Sequence, residues 1–379
     1  MIRLKELIVS VALLVVALMA SGQGAASDNE IRLGSSLPLT GPVAQTAKLF
    51  ESGARLYFDR INAEGGVHKR KIAFEVLDDG FDSAKAVANS RELVNERNVI
   101  ALFGNAGTAQ VAGVLPLVAE SNTPLFGPAT GSPALRKQHL PMVFHVRASY
   151  RDELERIVDH AKTVGLRRIA IFHTDDALGK LVLAELQDAL KKRDWQLVVS
   201  ASAAMKDGDL EGAAKRLASQ QPQAIVMGTV GVNFARFISA YKAQDQRTPQ
   251  FYGLSLVDPG LIASELGESG RGIVLSQIIP SVRNINRPVV REYCELLAKA
   301  RPGTEPAILE LDGFVNAKIL VEGLRRAGKN PNRASLAAAL ESLGRFDAGG
   351  YVVTYSRQNH NGTSFVDLAI AGANGKLRY

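Results

Sequence analysis

The amino-acid sequence predicts an α/β protein made of two doubly wound lobes. Three observations predict it. The chain has 379 residues, more than one compact core usually holds. Short β-branched apolar runs alternate with amphipathic helical patterns, the spacing of a parallel sheet covered by helices on both faces. The alternation occurs twice, before and after about residue 148.

The elements follow in chain order. The first 26 residues read as a secretory signal peptide: Arg3 and Lys5, an apolar stretch from Leu7 to Ala20, then small residues up to Ala26. At about 14 residues the stretch is short for a membrane span. A strand at Ile31–Leu33 runs into a Gly/Ser/Pro turn and a long helical pattern that stops at Gly65-Gly66. Strands are expected at 72–79, 99–104, 123–129, 167–174, 224–229 and 250–255. Helices are expected at Ser83–Glu96, Val111–Ser121, Gly179–Lys192, Glu211–Ser219 and Asn233–Ala243, with Gly165 as a further helix end. A second helical region follows at Pro288–Ala300, Ala307–Ala327 and Arg333–Leu343. The C-terminal part is strand-rich, at 349–356 and 365–379, with a hairpin signal at Asn374-Gly375.

Composition narrows the function. Hydrophobic content of 46% and charged content of 22% are those of a globular protein. The net charge of +7 comes from basic pairs spread along helices and turns, with no basic run interleaved with aromatics, so nucleic acid is not an expected partner. The single cysteine, Cys294, stands at an apolar position of an amphipathic helix and reads as a buried structural thiol. No G-x-S-x-G elbow and no phosphate-binding loop occurs, and GNAGTAQ (104–110) lacks dinucleotide spacing. The six histidines show no H-x-x-x-H spacing, so no metal is expected, and no cofactor. Asp78-Asp79 and Asp175-Asp176, at strand ends, read as helix caps or hinge partners rather than general bases. An enzyme on two such lobes stays the less favoured alternative.

In open α/β sheets, ligands bind beyond the carboxyl ends of the strands. Two segments there carry a family likeness: GSSLPLTGPVAQTAKLFESGARLYFDRINAEGG (34–66) and NAGTAQVAGVLPLVAESNTPLFGPATGSPAL (105–135). With them the mature chain resembles the type 1 periplasmic solute-binding proteins, the branched-chain amino-acid-binding branch. The resemblance implies two Rossmann-like lobes joined by a three-crossing hinge near Ala148, Gln277 and Tyr355. It assigns 27–147 plus 278–354 to lobe 1 and 148–277 plus 355–379 to lobe 2. It also implies a monomeric periplasmic protein that captures a small molecule and delivers it to an ABC permease in the inner membrane. A ligand sensor of the same fold is the other reading.

The site residues follow from the same likeness. The ligand carboxylate is expected at Thr108 and the backbone of Ala129, Thr130 and Gly131, with Gly107 allowing close approach. A helix N-terminus supports this independently, since its free N–H groups and partial positive charge suit an anion. Thr46 and Phe81 are expected to wall the near lobe. Tyr150, Leu178, Val230, Ser255 and Gln277 are expected to approach from the far lobe. Arg147 reads as a hinge or interlobe ion-pair residue. Thr46, Leu178 and Val230 stand where amino-acid binders of the family often carry aromatics, and Ser255 where they carry the acid that pairs with the ligand ammonium. A buried ammonium needs a partner, so an α-amino acid requires Asp175, Asp176 or Asp258 as a substitute. Otherwise the pattern favours an aromatic or aliphatic acid or an amide.

Overall fold

A computed structural model describes residues 29–136, 140–244, 247–372 and 376–379. The expected signal segment and the Asn374-Gly375 pair lie outside the described residues.

The first sheet is wholly parallel, in the order β2-β1-β3-β4-β5. Its strands are β1 (Glu30–Leu37), β2 (Lys71–Asp78), β3 (Ala101–Phe103), β4 (Leu125–Phe126) and β5 (Val143–Phe144). β1 is buried along most of its length, as expected of a strand covered on both faces. Helices α1 (Ala44–Ala63), α2 (Ser83–Asn95) and α3 (Thr108–Ser121) connect the strands. Phe58 and Phe74 meet Phe103 edge-on at 5.5 Å in the core beneath them.

The second sheet has the order β14-β13-β10-β9-β8-β6-β7. Strands β6 (Ile169–Thr174), β7 (Ser200–Ala203), β8 (Ala224–Gly228), β9 (Gln250–Gly253) and β10 (Val274–Gln277) are parallel. β13 (Asp367–Ala371) adds antiparallel to β10, and β14 (Leu377–Arg378) antiparallel to β13. Its helices are α4 (Tyr150–Thr163), α5 (Ala177–Lys191), α6 (Leu210–Ala218), α7 (Val232–Gln244) and α8 (Pro259–Leu266).

After β10 the chain returns to the first lobe as α9 (Pro288–Ala300), α10 (Ile308–Arg326) and α11 (Arg333–Glu341). Their apolar faces join the core of β1, β3 and α1. α1 and α10 cross closely because glycines face each other's backbone. A Cβ on Gly53 would lie 1.8 Å from the Glu310 carbonyl oxygen, and one on Gly313 1.9 Å from that of Phe50. The hairpin of β11 (Gly344–Asp347) and β12 (Val352–Tyr355) packs on the same core before β13 rejoins the second sheet. The chain thus passes between the sheets at 145–149, 278–287 and 356–366.

Several elements differ from the sequence reading. α4 appears there only through its end at Gly165. It begins with a capping box in which Ser149 and Asp152 satisfy each other's backbone N–H groups. β5, β7, α8 and β10 are short, two to eight residues, and their local patterns are weak beside the tertiary pairing that forms them. Asp176 caps α5 by accepting from the Gly179 N–H at 2.8 Å, and Asp175 pairs with Lys180. Asp79 accepts from the Ser36 hydroxyl at 2.7 Å and from the Phe81 N–H. Cys294 is half-buried against the first core.

Candidate functional site

The carboxyl ends of the two sheets face one another, and the loops leaving them enclose a cavity of about 70 Å³. Its near wall starts at the turn after β1. Leu37, Pro38, Val43, Thr46, Ala47 and Phe50 line it there. Phe81 stands beside them on a left-handed backbone, φ 67°, a conformation that costs an L-residue roughly 1–2 kcal/mol. Two hydrogen bonds hold that turn: Phe81 N–H to Asp79, and the Gln110 amide to the Phe81 carbonyl at 2.7 Å.

The α3 turn is stitched to the turn after β4. Ala106 bridges Ala129 in parallel, and the Ala129 N–H donates to Asn105 at 2.9 Å. Helix α3 starts earlier than the sequence suggests. Gly107 occupies the N-cap and Thr108 the first helical position, so the Thr108 hydroxyl makes no capping bond. It lies 3.0 Å from the Thr130 hydroxyl instead. Gly107, Thr108 and Ala129 line the cavity. The free N–H groups of the helix start and the Thr108 hydroxyl together form an anion-accepting end.

The far wall consists of Tyr150, Leu178, Val230, Ser255 and Leu256. Val43 and Phe81 of the near lobe pack into the same apolar cluster as Tyr150, Leu178 and Val230, so the lobes meet around the cavity. They also meet backbone to backbone. Gly231 has φ 62°, and a Cβ there would stand 2.3 Å from the Pro42 carbonyl oxygen across the cleft.

Arg147 is both an ion-pair residue and part of the cavity wall. Its Nη2 donates to Glu153 at 2.6 Å and to the Ser255 hydroxyl at 2.8 Å, and its guanidinium lies over the Tyr150 ring at 5.1 Å. Burial opposes the charge, but Glu153, Tyr150 and Asp312 outweigh it and raise the pKa. Glu153 is fully buried and also accepts from the Ser255 N–H and the Ser276 hydroxyl. The loop after β9 is therefore fixed from beneath, and the Ser255 hydroxyl is committed to Arg147.

An acid lines the cavity from the opposite lobe. Asp312, on α10, lines the cavity with Leu309. Its carboxylate accepts from the Asn316 amide at 2.9 Å. No basic nitrogen lies within ion-pair distance of it among the described residues. Burial raises its pKa to about 6, against the opposing pull of Arg147. The proposed substitutes do not reach the cavity: Asp175 pairs with Lys180, Asp176 caps α5, and Asp258 caps α8 through the Gly260 N–H.

Of the expected site residues, Thr46, Phe81, Gly107, Thr108, Ala129, Tyr150, Leu178, Val230 and Ser255 stand on the cavity wall. Thr130, Gly131 and Gln277 do not. Thr130 is buried behind Thr108. Gly131 receives the Tyr150 N–H at 2.7 Å. Gln277 is buried at the end of β10, with its amide nitrogen unpartnered. Sequence reasoning missed Phe50 and Asp312. The signal for Asp312 was an acid set among Leu309, Leu311, Gly313 and Phe314, all buried on α10.

Comparison with known proteins agrees with this architecture. The model of the periplasmic binding protein family matches residues 30–376. A substrate-binding periplasmic protein from Ralstonia solanacearum is 32% identical, with a TM-score of 0.85 over 92% of this chain and 99% of that one. A possible leucine/isoleucine/valine-binding protein from Rhodopirellula baltica is 26% identical, with a TM-score of 0.86 over 94% and 98%. Leu/Ile/Val-binding protein homolog 7 of Brucella abortus is 23% identical over 369 residues, 93% of this chain and 91% of its own length. The chain belongs to the periplasmic binding protein family. It is a solute-binding protein, not an enzyme.

Proposed function

We propose that this chain is the periplasmic substrate-binding component of an ABC importer. Its ligand is a small solute bearing a carboxylate or amide, either an amino acid or an aromatic or aliphatic acid. The observation that carries the reading is the cavity between the lobes, lined mainly by apolar side chains with Thr108, Arg147, Ser255 and Asp312 among them. The α3 start and Thr108 receive the carboxylate or carbonyl. Asp312, the cavity acid that no ion pair engages among the described residues, receives a donor on the same molecule: an ammonium, an amide N–H or a hydroxyl. The Tyr150 ring and Phe50 flank the body of the ligand. Names of relatives that refer to leucine, isoleucine and valine support such a ligand.

Ligand docks on lobe 1 (27–147 plus 278–354), and lobe 2 (148–277 plus 355–379) rotates over it about the crossings. The closed form excludes water and presents both cleft rims to the permease. The protein acts as a monomer exported by its signal segment, and ATP hydrolysis belongs to the partner.

A thermal-shift screen of the mature protein against amino acids, amides and carboxylates tests this. A ligand that binds only the folded state raises the Tm. Saturable one-to-one stabilisation by a compound carrying both groups is expected. Stabilisation only by compounds lacking a carboxylate or amide would contradict the reading.

A further inference from the structure

A second cleft opens on the hinge side of the molecule, away from the ligand cavity. It encloses about 660 Å³. Three segments build it: the loop after β4 (Pro133, Arg136), the first crossing into α4 (Ser149, Arg151, Asp152), and β12 with the third crossing (352–364). A group bound there would touch both lobes at the point where they pivot.

Arg136 dominates its chemistry. No carboxylate lies within ion-pair distance of this guanidinium among the described residues, whereas nearby arginines are paired: Arg147 with Glu153 and Arg151 with Glu185. Its two hydrogen bonds are long, 3.4 Å to the Asn361 side-chain oxygen and 3.4 Å to the Thr130 carbonyl. Its Nε is sealed from solvent and has no partner. A buried guanidinium donor left unmade is costly. Burial and the nearby Arg147 pull the Arg136 pKa down to about 10, outweighing the attraction of Asp152.

The rest of the cleft suits an anion. Thr354, Thr363 and Ser364 bring hydroxyls, and Asn359 and Asn361 bring amides. The one carboxylate on the wall, Asp152, accepts the Ser149 N–H and hydroxyl of the capping box through its Oδ2. Arg guanidinium with hydroxyl and amide donors is the usual arrangement for a tetrahedral oxyanion.

We propose that the hinge cleft is a second binding site, specific for a small oxyanion such as phosphate or sulfate, with Arg136 as its charged anchor. The site is connected to the ligand cavity. Arg136 reaches the Thr130 carbonyl, and the Thr130 hydroxyl meets Thr108. An oxyanion that draws on Arg136 therefore acts on the loop that holds the solute, and joins the segments about which the lobes turn.

The test is a thermal melt of the mature protein, without solute, in phosphate or sulfate against chloride at matched ionic strength. Wild type should gain about 2 °C at ten times the dissociation constant. Arg136→Gln should abolish the gain. Asn361→Asp should place a carboxylate beside Arg136, raise the Tm in chloride and remove the phosphate response, so a poorly folding Arg136 variant does not leave the matter open. Leu178→Phe, which narrows the solute cavity from the far lobe, away from the Arg136–Thr130–Thr108 chain, should keep the full response. An unresponsive wild type, an Asn361→Asp protein that still responds to phosphate, or a Leu178→Phe protein that has lost the response would overturn the proposal. The last outcome would place the anion in the solute cavity.

Discussion

Replacing Gly231 by alanine separates lobe closure from fold stability. The new Cβ would stand 2.3 Å from the Pro42 carbonyl oxygen on the other lobe, where an optimal contact is about 3.5 Å. Closure must therefore stop about 1 Å short or distort the loop. Overpacking of this kind costs about 1–3 kcal/mol, a loss of about 5- to 150-fold in affinity. Backbone strain is a separate effect. With φ 62°, alanine costs the folded chain roughly 1–2 kcal/mol in open and closed forms alike, which lowers the Tm of the unliganded protein. Gly165→Ala is the control, because Gly165 has φ 79° and a Cβ added there would meet nothing within 4 Å. Calorimetric titration with the solute found in the screen, alongside thermal melts, measures both effects. Gly231→Ala should lose Tm and affinity, and Gly165→Ala Tm alone. Unchanged affinity in Gly231→Ala would show that the Pro42–Gly231 contact is absent from the ligand-bound state.

Thr108→Val should weaken binding roughly tenfold or more, the loss expected when a hydrogen bond to a charged group is removed; titration at fixed pH checks it, and an unchanged constant removes Thr108 from the site. Asp312 gives a pH signature. With its pKa raised to about 6, the folded protein keeps a proton between about pH 4 and 6 that the unfolded chain has lost. Its contribution to stability is therefore present below about pH 4 and falls as pH rises to 6. Asp312→Asn should flatten that part of the stability profile by at most about 3 kcal/mol. If the ligand donates to Asp312, wild-type affinity should also rise through pH 6, and that rise should vanish in Asp312→Asn. An affinity that instead falls through pH 6 would identify a ligand whose acid group faces Asp312.

The parts of the fold legible in the sequence were those with long periodic patterns. α1, α2 and α10 declare themselves through apolar spacing, and α1 also through its stop at Gly65-Gly66. β5 and β10 did not, because a few buried residues look alike in strand, loop or helix until neighbours pair with them. In the site, local motifs exposed the α3 turn, since a strand ending in small hydroxyl residues before a helix is a sequence-level pattern. Arg147 was half legible. An ion-pair role at the hinge was expected, but its partner Glu153 was not, and its place on the cavity wall depends on how Tyr150 folds back under it. Asp312 was not recognised, because its distance in sequence from the other site residues is bridged only when α10 crosses α1 at Gly53 and Gly313. Looking for the missing acid only in the far lobe led to Asp175, Asp176 and Asp258, each already engaged in a cap or a surface pair.

The central claim is that solute is captured by closure of the two lobes around this cavity. Small-angle X-ray scattering of the mature protein, titrated with the solute identified by the screen, tests it most directly. The radius of gyration should fall saturably with the same dissociation constant as calorimetry, and Gly231→Ala should show a smaller fall at saturation. A saturated protein whose radius of gyration does not change would contradict the account.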